Sequence, residues 1–371
     1  MTTWSVAIMP LPDSPDAPDA WALHGVARID ARTQRDLWGY ADLSYPAPVL
    51  LGELRSQEHT ERIVLVATAH PTPEAPAESD VVGVAQLRLD RQGNTHRAWV
   101  SVLVDPDHRR QGVGQALLDA AEAVARERGR TVLQTETEHR GEPAADAPHA
   151  MAPPTGSGRI DGASTAAMFA RDRGYVLEQG MRYSVLHLPV AAALVDRLHT
   201  DALQRAGDEY TVVTWVDRCP DDLVDDLARL VTRMSTDAPN AGLDVVEDPW
   251  DAARVRAEEA TYAATGRGSV TCAVQHVPTG KLVAYSEIVH SLQDRDFAFQ
   301  ANTLVLREHR GHRLGMLVKA ANLRELARLR PELRRIHTWN AEENRHMLSI
   351  NEALGFRGAG VCALWQKRDV G

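Results

Sequence analysis

The chain has 371 residues and a formal net charge of −10, with 25% charged and 44% hydrophobic residues. This length exceeds the usual size of one domain, so we expect two domains, each with its own core. The acidic balance argues against a general nucleic-acid or anionic-membrane binder, and no apolar run is long enough to span a membrane. The N-terminus lacks the basic-then-apolar order of a signal peptide, so we expect a cytoplasmic protein.

The three cysteines, Cys219, Cys272 and Cys362, lie far apart and have no C-x-x-C or His-rich partner spacing. Neither a disulfide framework nor a zinc site is therefore expected, and we predict no metal.

Hydrophobic periodicity divides the first half into short strands and amphipathic helices. Strands are predicted at 4–8, 63–68, 81–89, 96–104, 131–137 and 182–188, and helices at 19–44, 49–55, 113–128 and 165–173. The segment 138–164 interrupts this pattern because it is too long and too rich in proline and glycine for an ordinary connection. Since few apolar side chains could anchor it, we predict a disordered or loose surface loop, with a lid as the alternative.

A loop rich in arginine and glycine, residues 109–114, follows the strand 96–104 and leads into a helix. Gly112 and Gly114 lack the Cβ atoms that would keep a ligand away from the backbone. The loop amides stand at a helix N-terminus, which favours anions, and Arg109 and Arg110 add positive charge. These features predict a phosphate or pyrophosphate site. An ordinary glycine-containing turn is the alternative.

The order R-x-x-G-x-G at 109–114, preceded by V-x-V-D-P, resembles the acyl-CoA loop of the GNAT N-acetyltransferase superfamily. The resemblance implies an α/β (α+β) fold: a mixed, mostly antiparallel sheet flanked by helices, with a V-shaped splay between strands 4 and 5. It also implies acetyl-CoA as the cofactor, with its pyrophosphate on the loop and its acetyl carbonyl at the end of the preceding strand. The cofactor-binding residues implied in the first half are Leu103, Val104, Arg109, Arg110, Gln111, Gly112, Val113 and Gly114.

The second half repeats the element order of the first. A helix predicted at 190–205 is followed by strands at 210–216, 269–276, 282–290, 297–306 and 335–339, and by helices at 221–234, 249–264, 317–329 and 343–354. A second loop, 310–315, lies 201 residues after the first, and Gly355-Phe356 corresponds to Gly174-Tyr175. We therefore predict an internal duplication, with GNAT domains at 1–188 and 209–371 joined by a helix at 189–208.

The second loop departs from the superfamily pattern because Arg313 stands where the first loop has Gly112. Either the loop widens or the Arg313 side chain joins the ligand shell, and Gly311 restores some backbone freedom. The order N-x-x-M-x-x-I-N-x-x-L-G-F at 344–356 resembles the last helix of the superfamily, whose opening Asn lies near the cofactor. The cofactor-binding residues implied here are Leu304, Val305, Arg310, Gly311, His312, Arg313, Leu314, Gly315 and Asn344.

Acetyl transfer to an amine needs a general base, because the attacking nitrogen must lose a proton. Glu287, on the third strand of the second half, is our first candidate, since the first half has Gln86 at that position. His337 is the second candidate. A solvated strand residue and a structural histidine are the respective alternatives. The superfamily's frequent general acid, a Tyr in the last helix, is absent, and Asn351 occupies its position and could hold a water molecule.

Tandem proteins of this superfamily commonly keep one half active. The resemblance therefore implies an acetyl-CoA-dependent N-acetyltransferase that acts directly on a primary amine of a small molecule, and we predict the second half to be the catalyst. We expect a monomer or homodimer without nucleic-acid or membrane partners. Two alternatives remain: a scaffold that binds acyl-CoA without catalysis, and an acetyltransferase of protein amines.

Overall fold

The structure is a computed structural model that describes residues 4–69 and 76–368. In the first half the strands are β1 (Trp4–Ile8), β2 (Thr60–Ala69), β3 (Gly83–Asp90), β4 (Arg97–Val104), β5 (Val132–Arg140), β6 (Ala150–Met151), β7 (Ile160–Asp161) and β8 (Val176–His187). The helices of this half are α1 (Trp21–Trp38), α2 (Ala47–Arg55), α3 (Val113–Glu127) and α4 (Thr165–Asp172).

The second half begins with helix α5 (Ala192–Ala206), whose buried side chains pack into the core around α8. Its strands are β9 (Tyr210–Val216), β10 (Arg267–His276), β11 (Lys281–Ser291), β12 (Phe297–Val305), β13 (Arg335–Ala341) and β14 (Arg357–Arg368). Its further helices are α6 (Val224–Asp237), α7 (Ala252–Ala264), α8 (Leu314–Leu329) and α9 (Arg345–Leu354).

The described residues form one twelve-stranded sheet in the order β1-β2-β3-β4-β5-β14-β8-β13-β12-β11-β10-β9. Successive residues of β3 alternate between two cores, Val84 facing α1 and α2 and Ala85 facing α3, so helices cover both faces. Neighbouring strands are antiparallel except for two parallel pairs, β4 with β5 and β12 with β13. The predicted fold class, a mixed and mostly antiparallel sheet flanked by helices, is confirmed.

Both parallel pairs are joined at one end only. Strands β4 and β5 pair through Arg97–Trp99 and Val132–Gln134, and then diverge. Strands β12 and β13 do the same, with Phe299 opposite His337 as the last pair. Each half therefore contains the V-shaped splay that the resemblance implies.

The last strands of the two halves are exchanged. Strand β14, at the end of the second half, pairs with β5 over nine residues, and strand β8, at the end of the first half, pairs with β13. Trp365 of β14 is fully buried in the core of the first half, whereas Leu186 of β8 belongs to the core of the second half. Each half is thus completed by the other.

The segment 138–164 is held against the body of the protein. Strand β5 continues to Arg140, and β6 and β7 pair as a small antiparallel ladder. Ile160 is fully buried in the first-half core, and a Cβ atom at Gly158 would lie 2.7 Å from the Cα atom of Gly180. The prediction of a loose or disordered loop is wrong because one buried side chain and this close backbone contact anchor the segment.

The exchange makes a prediction about stability. We expect Trp365→Ala to lower the free energy of unfolding by about 3–5 kcal/mol, because it leaves a large cavity in the core of the opposite half. The matched control is Val176→Ala on the neighbouring strand, where the side chain is 59% exposed and the change should stay within about 0.5 kcal/mol. Urea unfolding followed by circular dichroism measures the free energy of unfolding of both variants. If Trp365→Ala were as stable as the control variant, the exchange of strands would be contradicted.

Candidate active site

The loop between β4 and α3 presents unpaired backbone amides. Gly112 is the N-cap of α3 at φ +88°, and a Cβ atom added there would meet nothing within 4 Å. The first helical hydrogen bond runs from Ala116 N to Gly112 O, so the N–H groups of Val113, Gly114 and Gln115 precede it. The open side of this loop is therefore a site where backbone donors can reach an anion.

Two arginines add positive charge to this loop. Arg109 donates from Nε to Val104 O at 3.2 Å, which fixes its side chain on the end of β4. Both Arg109 and Arg110 are exposed, and neither forms an ion pair within 4–69 and 76–368. Asp105, which is buried at the base of the loop, is instead paired with Arg28 and Arg32 of α1. The loop arginines thus remain available for an anionic ligand.

A cavity of about 1360 Å³ runs from this loop through the gap between β4 and β5 to the opposite face of the sheet. On the cofactor side, the face covered by α3 and α4, its wall includes Gly112, Gly114, Leu118 and Phe169. On the acceptor side, the face covered by α1 and α2, the wall includes Gln34, Ser101, Leu103, Glu136 and Glu138. Phe299, Gln300, Ala301 and Trp339 of the second half also line it.

Two carboxyl groups on the acceptor side have altered acidity. Burial and the nearby Glu136 carboxylate raise the pKa of Glu138 to about 7, although Gln34 Nε2 donates to Glu138 Oε2 at 3.1 Å. Burial also raises the pKa of Asp30 to about 6, against the opposing effect of a hydrogen bond from Tyr45 N. A carboxyl group that exchanges its proton near neutral pH is suited to general-base catalysis.

Glu138 and Leu103 lie at the same level of the splay. The last pair across β4 and β5 is Trp99 with Gln134, so Leu103 and Glu138 are each four residues beyond it. Because side chains alternate along a strand, Glu136 and Glu138 share one face of β5. An amine that entered from the acceptor side would meet Glu138 opposite the Leu103 region of β4.

The second loop has the same backbone course as the first. Positive φ angles occur at Arg110 and Gly112 in one loop and at Gly311 and Arg313, 201 residues later, in the other. Arg310 Nε donates to Val305 O at 3.3 Å, as Arg109 does to Val104. The loop has therefore not widened, and Arg313 adopts a left-handed conformation that costs a side chain about 1–2 kcal/mol.

The groove beside the second loop is filled by side chains. Met316 is 5% exposed, whereas its counterpart Gln115 is exposed and lines the cavity of the first half. Lys319, 1% exposed, places a longer side chain where the first half has the buried Leu118. Burial lowers the pKa of Lys319 to about 7. Next to them, a Cβ atom at Gly315 would lie 3.2 Å from Ile350 Cδ1, so the middle of α9 packs against the start of α8.

The charged surroundings of the second loop also differ. Arg307 and Arg310 lie 3.3 and 3.5 Å from the buried carboxylate of Asp237. In the first half the loop supplies the carboxylate and α1 supplies the arginines. In the second half the loop supplies the arginines and α6 supplies the carboxylate. The second loop therefore offers less free positive charge to an anion than the first.

The remaining residues predicted for the second cofactor site have mostly structural contacts. Asn344 caps α9, its Oδ1 accepting from Met347 N at 3.2 Å. Leu304 and Leu314 are buried in the second-half core, and His312 contacts Tyr210 with ring centroids 5.1 Å apart and an interplanar angle of 46°. Val305, beyond the last β12–β13 pair, also packs against that core.

Glu287, His337 and Asn351 are not brought together in one pocket. The Glu287 carboxyl lies on the α7 side of β11, where burial and Glu258 raise its pKa to about 7. His337 is fully buried, its Nε2 bonded to Asp42 at 2.9 Å and its Nδ1 to the Tyr183 hydroxyl at 2.7 Å. Both ring nitrogens of His337 are therefore occupied by structural partners.

Asn351 is a buried residue of α9 that faces β13. Its Nδ2 donates to Asn340 Oδ1 at 2.7 Å, and its own Oδ1 has no hydrogen-bond partner. This leaves one acceptor free for the water molecule that the sequence predicts. Tyr175, the aromatic residue after α4, instead donates its hydroxyl to Glu122 at 3.2 Å.

Sequence reasoning missed Gln34, Asp30, Glu136 and Glu138. The signal was the alternation Thr135-Glu136-Thr137-Glu138, which places two carboxylates on one face of a strand. The sequence pattern predicts a strand that ends at residue 137, which leaves Glu138 in the loop that follows.

The comparisons with known proteins agree with this geometry. Residues 35–147 match the acetyltransferase (GNAT) family, a class of acyltransferases. A tandem GNAT protein from the clavulanic acid biosynthesis pathway superposes with a TM-score of 0.72 at 24% identity, covering 100% of this chain and 99% of that one. Residues 35–147 thus match a family of acetyltransferases, and the whole chain shares the tandem GNAT fold.

Two further solved structures share the fold. A GCN5-related N-acetyltransferase from Sphaerobacter thermophilus has a TM-score of 0.59 at 13% identity, covering 97% of both chains. A putative acetyltransferase from Pyrococcus horikoshii has a TM-score of 0.51 at 12% identity, covering 99% of this chain and 89% of that one. No curated protein matched the chain. Within the described ranges, no helix has the length and hydrophobicity to cross a membrane.

The raised pKa of Glu138 implies that the free energy of unfolding depends on pH. Because its pKa is about 7 in the folded protein against an ordinary 4.5, ionisation of Glu138 favours unfolding as the pH rises through this window. We expect Glu138→Gln to raise the free energy of unfolding by about 1–3 kcal/mol at pH 8, and by much less at pH 5. Urea unfolding at both pH values measures this.

The matched control for this prediction is Glu127→Gln, which removes the same charge from an exposed position at the end of α3. A gain for Glu138→Gln that is equal at pH 5 and pH 8, or a gain shared by the control, would contradict the assignment.

Proposed function

We propose that the protein is an acetyl-CoA-dependent N-acetyltransferase of a small primary amine, and that the first half carries out the transfer. The observation that carries this proposal is the cavity that joins the anion-binding loop to the acceptor side through the splay of β4 and β5. The proposal keeps the duplication predicted from the sequence, with units 1–188 and 209–371 and the helix 189–208 between them.

The residues of the first half fit acetyl-CoA. Its pyrophosphate would be held by the amides of 111–115 and by Arg109 and Arg110, and its pantetheine arm would lie in the groove that Leu118 and Phe169 line. When bound, acetyl-CoA supplies the acetyl group as a thioester. Backbone N–H groups of β4 near Leu103 and Val104, beyond the last pair with β5, would stabilise negative charge on the carbonyl oxygen.

Glu138 would act as the general base. Its ionised carboxylate accepts a proton from the amine nitrogen as the carbon–nitrogen bond forms and the carbon–sulfur bond breaks. The thiolate of CoA is a good leaving group because a thiol has an ordinary pKa of about 8.5. The departing thiolate can take its proton from water. The hydroxyl of Tyr175 is unsuited to this task because burial and Glu122 raise its pKa far above the ordinary value.

The second half is the other candidate catalyst, as the sequence predicts. The specific observation in its favour is Glu287, whose pKa of about 7 also suits a base. Against it stand the filled groove at Met316 and Lys319 and the neutralised Arg310. Asn351 and His337 remain predicted participants in that alternative.

Calorimetric titration with acetyl-CoA distinguishes the two halves. We expect one binding site on the wild type, its loss in Arg109→Glu because charge reversal repels the pyrophosphate, and its retention in the matched Arg310→Glu variant. The opposite pattern would move the cofactor to the second half. Two sites on the wild type would show that both loops bind it, and no binding would favour a scaffold without acyl transfer.

A pair of isosteric variants tests the base. We expect Glu138→Gln to lower kcat/KM by about 10²–10⁴-fold and Glu287→Gln to leave it unchanged. Because the base must be ionised, wild-type kcat/KM should rise with pH through about 7, and this inflection should vanish in Glu138→Gln. Release of free thiol in the presence of an amine acceptor measures the rates. The reverse ranking would identify the second half as the catalyst.

A further inference from the structure

The acceptor side of the cavity has an excess of negative charge. Its wall carries the carboxylates of Asp30, Asp36, Glu53, Glu136 and Glu138 and the guanidinium groups of Arg62 and Arg88. Glu53 is paired with Arg62 at 3.4 Å and also with Arg267, so its charge is compensated. Arg88 is placed over the Trp99 ring at 5.4 Å. The reaction needs only one of these carboxylates as a general base. The others therefore have no role in proton transfer.

A buried acceptor atom on the same wall has no donor. Gln34 is 7% exposed and lines the cavity, and its Oε1 has no hydrogen-bond partner. Its Nε2 is occupied by Glu138, so the amide presents its oxygen beside that carboxylate. The neighbouring Thr33 Oγ1, also on the cavity wall, is likewise without a partner. Such a group of acceptors is complementary to a ligand that brings several N–H donors.

Aromatic rings also line this wall. Trp99 and Tyr45 come from the first half, each with an arginine guanidinium already over its ring, and Phe299 and Trp339 come from the second half. Phe299 and Trp339 are stacked with ring centroids 6.1 Å apart and an interplanar angle of 21°. Faces of aromatic rings attract cations, especially where water is partly excluded.

We propose that the acceptor amine carries a second positive charge. One amino group faces Glu138 and is acetylated, while the distal ammonium is bound by Glu136 and the Gln34 Oε1, beside the Phe299 and Trp339 rings. This inference rests on the proposed function and names its substrate class. An amine without a second charge would leave the carboxylates uncompensated, and an amino acid's carboxylate would be repelled by them.

Binding experiments can test this class without turnover, using protein saturated with CoA rather than acetyl-CoA. The probes are 1,5-diaminopentane, pentylamine and 5-aminopentanoate, which share a chain length and differ in the distal group. We expect calorimetry to give a Kd at least about tenfold lower for the diamine than for pentylamine, and the weakest binding for 5-aminopentanoate. Glu136→Gln should reduce the preference for the diamine to less than about threefold.

The matched control is Glu127→Gln, which lies outside the cavity and should keep the wild-type preference. Equal affinities for the diamine and pentylamine, a preference for 5-aminopentanoate, or no diamine binding would each overturn the inference. Failure of CoA itself to bind is a separate result that refutes the proposed function. In that case the three probes are titrated into the protein alone, and the same order is required.

Discussion

The unpaired edge of β5 is the constraint on which the site depends. This strand bonds to β14 along nine residues on one side, but to β4 through only three residues on the other. From Thr135 onward, the backbone groups that face β4 have no strand to pair with. Buried peptide groups need partners, so an extended ligand that enters the gap supplies what the missing strand would have supplied.

The exchanged last strand of the second half holds the other edge of β5. Strand β14 fixes β5 from behind, with Trp365 in the core and Trp365 Nε1 donating to Thr137 Oγ1 at 2.8 Å. Cys362 of the same strand donates to Glu136 Oε2 at 3.2 Å on the acceptor side. Strand β14 therefore supports the fold of the first half and also positions a residue of its proposed site.

The element order and both loops could be predicted from the sequence because they depend on local patterns. Apolar periodicity and the spacing from Arg109 to Gly114 are properties of a few consecutive residues. Two features could not be predicted from such local patterns. The last strand, 357–368, is absent from the sequence-based predictions, and the predicted strand 182–188 would satisfy the same local pattern in either half, so the exchange could not be inferred from them. Glu138 was missed because β5 extends beyond the predicted boundary, with β14 and not its own sequence fixing its length.

The sequence likewise could not show that the second groove is filled, since this depends on how α8 and α9 pack. Lys319 replaces Leu118 and is fully enclosed, with Phe356 as an aromatic neighbour at 5.6 Å. Yet the second loop keeps the backbone course of the first, including the strained Arg313. The loop geometry therefore belongs to the fold and is not by itself a sign of ligand binding.

The second half is required to complete the structure of the first. It contributes β14 to the first-half sheet and places Phe299 and Trp339 in the cavity wall. In return, β8 of the first half pairs with β13 and supplies Tyr183, which binds His337. Since removing either half would expose unpaired strand edges on the other, the two halves form one structural unit, whichever of them carries the chemistry.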